Sequence, residues 1–168
     1  MQTILFVCTG NTCRSAMAEA LFKHILTNRK NELKNIKVIS AGIYAWEGDG
    51  ASLGAVEVLK EKGIDVMEHS SRLLTPELVE KADLILTMTS NHKRAILEIC
   101  PEAGEKTYTL KEYVLNHDDK SPYISDSNLE EINHDIKDPY GRSVDVYRES
   151  AEEIEKYLHM LIDRLSSM

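Results

Sequence analysis

Cys8, Arg14 and Ser15 fall in the stretch ILFVCTGNTCRSAMAEALF, residues 4–22, with five residues between the cysteine and the arginine. A thiol followed at this spacing by a guanidinium and a hydroxyl suits nucleophilic chemistry on an oxyanion. The apolar run before Cys8 reads as a buried strand and the segment after Arg14 as a helix. The loop Thr9–Arg14 therefore joins a strand end to a helix N-terminus. Such a loop can curl its N–H groups inward to form an anion nest, and the helix dipole adds positive potential. Both favour the thiolate of Cys8, the nucleophilic form of cysteine. Arg14 offers a planar fork of donors to two oxygens. Ser15 is expected to donate to the Cys8 sulfur and to cap the helix. Gly10 is expected to take a positive φ or admit a ligand closely. Asn11 tolerates the left-handed region and can brace the loop with its amide. The blander alternative is that Cys8 is a small core residue and Arg14 faces water. The agreement of motif with strand–loop–helix context favours chemistry.

The elements that must hold these residues alternate along the chain. Strands are expected at 3–8, 36–40, 83–88 and 106–110, with a short one at 64–67. Helices are expected from Ser15 to about Asn28, with Glu19 in the first turn, and from Ala51 to Lys62, stopped by Gly63. Others are expected from Thr75-Pro76 onward, over 90–99, and from Ser143 to Ser166. Their apolar positions recur at helical spacing. Alternating strands and helices imply βαβ units, hence an α/β fold with a parallel sheet between two helical layers. In such sheets ligands bind beyond the carboxyl ends of the strands, which is where Cys8 lies. The acidic stretch 116–137 has little periodicity and reads as a long surface loop of one domain spanning 1–168.

The 168 residues carry a formal net charge of −8. That argues against nucleic acid as a partner, since backbone binding needs a basic surface. It leaves room for a small anion site. Apolar runs are too short to cross a bilayer, and three cysteines make no disulfide framework. A cytoplasmic monomer without a membrane partner is expected. The six histidines share no ligand spacing with cysteine, so neither a metal nor another cofactor is expected.

VCTGNTCRSAMAE resembles the phosphate-binding loop of the low-molecular-weight protein tyrosine phosphatases. SAG at 40–42, ADLILTM at 82–88 and DPYG at 138–141 extend the resemblance over nearly the whole chain. It implies a four-stranded parallel sheet flanked by helices and no metal. It further implies that Cys8 forms a cysteinyl-phosphate, that Arg14 and the loop Thr9, Gly10, Asn11, Thr12, Cys13 and Ser15 hold the phosphoryl oxygens, and that Asp138 is the general acid. The long stretch before Asp138 departs from the expected pattern and leaves the presentation of its carboxylate open. A related pairing in the family implies that Cys13 forms a reversible disulfide with Cys8 on oxidation; otherwise Cys13 is a packed residue.

Thr12 bears on the substrate. Members acting on phosphotyrosine usually carry an aliphatic residue there, whereas threonine in CTGNTCRS resembles the protein arginine phosphatase branch. SSRLLTPELVEKADLILTMTSNHK and TLKEYV are similar to that branch too. A guanidine leaves less readily than a phenol unless protonated, so reliance on Asp138 is expected to be strong. A second carboxylate near the mouth would help hold a guanidinium, but nothing in the sequence identifies it. Trp46 and Tyr140 are rim candidates whose rings suit either a phenyl or a guanidinium plane. Phosphorylated proteins are the expected substrates, with phosphoarginine favoured and phosphotyrosine the alternative. An arsenate reductase would need further redox cysteines, and Cys100 stands alone. A cysteine phosphocarrier would not need Arg14 or Asp138.

Overall fold

The computed structural model describes residues 2–29, 33, 35–115 and 133–168. Four strands, β1 (Gln2–Cys8), β2 (Ile36–Gly42), β3 (Leu84–Thr87) and β4 (Thr107–Thr109), form one sheet in the order β2-β1-β3-β4. All three pairings are parallel, and Cys8 lies opposite Gly42 at the end of the β1–β2 ladder. Six helices among the described residues cover the sheet: α1 (Arg14–Asn28), α2 (Leu53–Glu61), α3 (Pro76–Lys81), α4 (Ser90–Ile99), α5 (Leu110–Leu115) and α6 (Val144–Ser167).

β1 is apolar on both sides because both sides are covered. Ile4 and Phe6 join Met17, Leu21 and Phe22 of α1, Val58 and Leu59 of α2, and Ile154, Leu158 and Leu161 of α6 in one cluster. Leu5 and Val7 point the other way and join Val79 of α3 and Ile96 of α4. The result is the expected three-layer sandwich. Gly54 lets α2 meet α6 closely, since a Cβ there would lie 2.3 Å from the Tyr147 ring.

Several expectations are corrected. Residues 64–67 form no strand: 64–66 are irregular, between the turn at Lys62–Gly63 and the one that begins at Met67. Lys106 and Leu110 fall outside β4: a 3-10 turn over Pro101–Lys106 precedes it and α5 follows. The signal for α5 was legible in Thr109-x-x-Glu112. Its side chains cap reciprocally, Glu112 N donating to Thr109 Oγ1 at 3.0 Å and Thr109 N to Glu112 Oε2 at 3.1 Å, a capping box. Helix α1 starts at Arg14, with Cys13 at its N-cap, so Ser15 does not cap it and Glu19 lies beyond the first turn. Most of the acidic loop expected at 116–137 lies outside the described residues. Its last part, 133–137, is described and irregular. No helix among the described residues is long and apolar enough to cross a membrane.

Candidate active site

The loop after β1 is held from behind by buried polar groups. Asn11 is fully buried with φ 57°, so it supplies the left-handed residue the turn requires. Gly10 was expected to do so, but its φ is not positive and an added Cβ would meet only Thr12 Oγ1, at 3.7 Å. The Asn11 amide donates to Ser15 Oγ and Ser40 Oγ, each at 2.8 Å, and its oxygen accepts from Arg72 N at 3.0 Å. Its backbone carbonyl accepts from His69 Nε2 at 2.7 Å and Ser71 Oγ at 2.9 Å. Gly42 explains the SAG motif: a Cβ there would lie 2.6 Å from Thr9 O and 2.8 Å from Asn11 N. Only glycine lets the end of β2 pass so close to the loop.

Cys8 is buried at the loop's start with its sulfur 2.9 Å from Ser15 Oγ. Arg14 is also buried rather than solvent-facing. One terminal nitrogen, Nη1, donates to Ile136 O at 3.0 Å, and Nη2 lies 3.5 Å from Asp138 Oδ2. Its Nε–H is buried and has no hydrogen-bond partner among the described residues. A buried orphan donor is costly, and a bound oxyanion is the group that would satisfy it.

Asp138 is presented from a segment fixed on several sides, despite the long stretch before it. Ile136 N donates to Met88 O at 2.8 Å, beyond the end of β3, and Ile136 is fully buried. Ser150 Oγ of α6 donates to Lys137 O at 3.3 Å. Asp138 Oδ1 accepts from Tyr140 N at 3.0 Å, a turn stabilised by the aspartate itself. Gly141, at φ 72°, completes it.

These groups line a cavity of about 550 Å³ that also contains Thr9, Gly10, Thr12, Cys13, Trp46, Asp49, Ser52 and Tyr140. Trp46 and Tyr140 are 79% and 71% exposed, so both stand as rim rather than core. Thr12 is half-buried, and Ser52 N donates to its carbonyl at 2.9 Å. The Cys13 sulfur lies 3.2 Å from Ser52 Oγ and 3.3 Å from Tyr147 OH. Burial, then the bond to Cys13, raises the Tyr147 phenol to about 12. A second cavity, of about 610 Å³, lies against Ser40, His69 and Arg72 and contains neither Cys8 nor Arg14.

Two residues escaped the sequence reading. His92 Nε2 lies 2.9 Å from Thr9 Oγ1, bracing the loop from α4. Burial and the Arg14 charge push its pKa down to about 4, so it is neutral near pH 7. The one available signal was its position just after β3, at the sheet edge where ligands bind. Asp49 is the second acidic residue of the cavity. Among the described residues no cluster of His, Cys, Asp and Glu could hold a metal ion.

A family model for the low molecular weight phosphotyrosine protein phosphatases matches residues 3–168. The chain is 42% identical over 164 residues to a protein-arginine-phosphatase of Geobacillus stearothermophilus, covering 98% of this chain and 96% of that protein. It is 43% identical over 162 residues to a protein-arginine-phosphatase of Bacillus subtilis, covering 96% and 95%. A solved structure of a YwlE arginine phosphatase mutant with a phosphorylated active site serine superposes with a TM-score of 0.83 at 41% identity, covering 98% of this chain and 95% of that one. The matched span and the parallel sheet agree, and the chain belongs to the low molecular weight phosphotyrosine protein phosphatase family.

Proposed function

We propose that this phosphatase removes phosphoryl groups from arginine side chains of proteins through a cysteinyl-phosphate on Cys8. The observation that carries the reading is the buried Nε–H of Arg14, which has no partner among the described residues, in a cavity that also contains Cys8, Thr12 and Asp138. The Cys8 thiolate attacks phosphorus. A sulfur–phosphorus bond forms, the phosphorus–nitrogen bond breaks, and the Asp138 carboxyl delivers its proton to the departing guanidine nitrogen. Arg14 and the loop N–H groups hold the phosphoryl oxygens while charge redistributes. Water then attacks the cysteinyl-phosphate, Asp138 takes its proton, and inorganic phosphate leaves with the Cys8 thiolate restored. His92 keeps Thr9 in place and Asn11 keeps the loop curled. Cys13, in the same reading, captures an oxidised Cys8 as a disulfide.

Phosphoarginine is favoured because Thr12 brings a short polar side chain to the cavity, and because the two relatives above are named as arginine phosphatases. Phosphotyrosine is the second reading, supported by the exposed rings of Trp46 and Tyr140 at the rim. The test is kcat/KM on a phosphoarginine protein and on a phosphotyrosine peptide, side by side. A large preference for phosphoarginine is expected, and a preference for phosphotyrosine would overturn the substrate assignment while leaving the cysteine mechanism in place.

A further inference from the structure

We propose that Asp49 is the second carboxylate of the substrate site, accepting hydrogen bonds from the guanidine N–H groups that remain when phosphoarginine is bound. This rests on the phosphoarginine reading above and deepens it. Asp49 lines the cavity with Cys8, Arg14 and Asp138. Its backbone is fixed: its N–H donates to Trp46 O at 3.2 Å, and its carbonyl accepts from Ser71 N at 2.7 Å. Gly48, at φ 87°, shapes the turn and donates to Ser71 O at 3.0 Å. Ser71 in turn donates to Asn11 O at 2.9 Å. The position of Asp49 is thus tied to the phosphate loop itself through one buried serine.

The neighbouring carboxylates are already engaged. Glu47 accepts from Leu73 N at 2.7 Å, and Asp138 accepts from Tyr140 N and faces Arg14. No hydrogen bond or ion pair to the Asp49 carboxylate occurs among the described residues. Among the described residues no lysine lines the cavity, and its arginine, Arg14, is turned to Ile136 and Asp138. An uncompensated anion at the mouth of a phosphate site opposes a dianionic aryl phosphate. It suits a substrate whose phosphoryl group is followed at once by a group that becomes a cation. Proton delivery to the departing nitrogen turns the guanidine into guanidinium, so attraction to Asp49 grows along the reaction. Trp46 lines the same cavity, and an indole ring suits a guanidinium plane.

Steady-state kinetics with Asp49→Asn and Asp49→Glu, on a phosphoarginine peptide and on an aryl phosphate, test this. Asp49→Asn should lower kcat/KM on phosphoarginine about tenfold, the scale of one charge-assisted hydrogen bond near solvent, and leave the aryl phosphate within about twofold or faster. Asp49→Glu should recover part of the loss. An equal loss on both substrates, or none on either, overturns the role of Asp49 while a wild-type preference for phosphoarginine keeps the substrate reading. A wild-type preference for the aryl phosphate overturns the substrate reading and this inference with it. Retained aryl phosphate activity reports that each variant is folded.

Discussion

The Cys8 sulfur and the Ser15 hydroxyl lie 2.9 Å apart, and the polar groups behind them limit where that hydroxyl can send its proton. The Glu19 carboxylate, paired with Lys23, accepts from Ser40 Oγ. Ser40 can then only accept from the Asn11 amide, whose other N–H goes to Ser15 Oγ. The single Ser15 proton is left for the Cys8 sulfur, or for Ala41 O at the longer distance of 3.5 Å. When Cys8 is a thiolate it has no proton to give, so Ser15 donates and sulfur accepts, the arrangement that stabilises the anion.

Ser15→Ala removes that donor and leaves the Asn11 amide short of an acceptor. The expected result is a fall in kcat/KM of about tenfold or more on aryl phosphate and phosphoarginine alike, since both need the same nucleophile. Alkylation of Cys8 by iodoacetamide should slow in parallel. Unchanged rates in both assays would remove Ser15 from the activation of Cys8.

Thr12→Ile exchanges a hydroxyl for a larger apolar side chain in the cavity. Phosphoarginine activity should fall by about tenfold to a hundredfold, while phosphotyrosine activity is kept or rises. Equal losses would mean that Thr12 supports the loop through its carbonyl, which accepts from Ser52 N, and does not select the substrate.

Mild peroxide should convert Cys8 and Cys13 to a disulfide that dithiothreitol reverses. The reaction must first draw the Cys13 sulfur away from Ser52 and Tyr147, so Tyr147→Phe should speed it. Cys13→Ser should instead carry Cys8 on to sulfinic acid, with activity that dithiothreitol does not restore. Mass spectrometry distinguishes the two. Sulfinic Cys8 with free Cys13 in the wild type would end the redox role of Cys13.

His92 links this site to stability. Burial first and then Arg14 lower its pKa from 6.5 to about 4, against the opposing pull of Asp135 and Asp138. Between these values the unfolded chain binds the proton and the native state does not. The stability contribution is therefore full above about pH 6.5 and is lost as pH falls toward about 4. Urea midpoints at about pH 7 and pH 5 should differ by less in His92→Gln than in the wild type. Equal differences would mean that His92 titrates in the folded protein as it does in the unfolded chain.

The layered fold and the strand–loop–helix unit around Cys8 are written in the local sequence. Period and composition fix which segments are strands and helices, and β1 had to be central because it is apolar on both faces. Cys8, Arg14 and Ser15 are neighbours in the chain, so their association needs only a local turn. Helix α5 is also written locally, in the capping box Thr109–Glu112, whereas the start of α1 is not: Cys13 takes the N-cap position, so Ser15 contacts the Cys8 sulfur as expected but does not cap the helix. Tertiary structure decided everything that depends on distant segments meeting. His92, 83 residues beyond Thr9, reaches the loop because α4 follows the strand beside β1. Asp138 faces Arg14 because Ile136 is buried against the end of β3. Asp49 joins the site because Ser71 ties its turn to Asn11. Periodicity records which face of an element is buried, but not which distant side chain will complete a hydrogen bond there. That choice is made only when the sheet order β2-β1-β3-β4 brings the connecting loops to one edge.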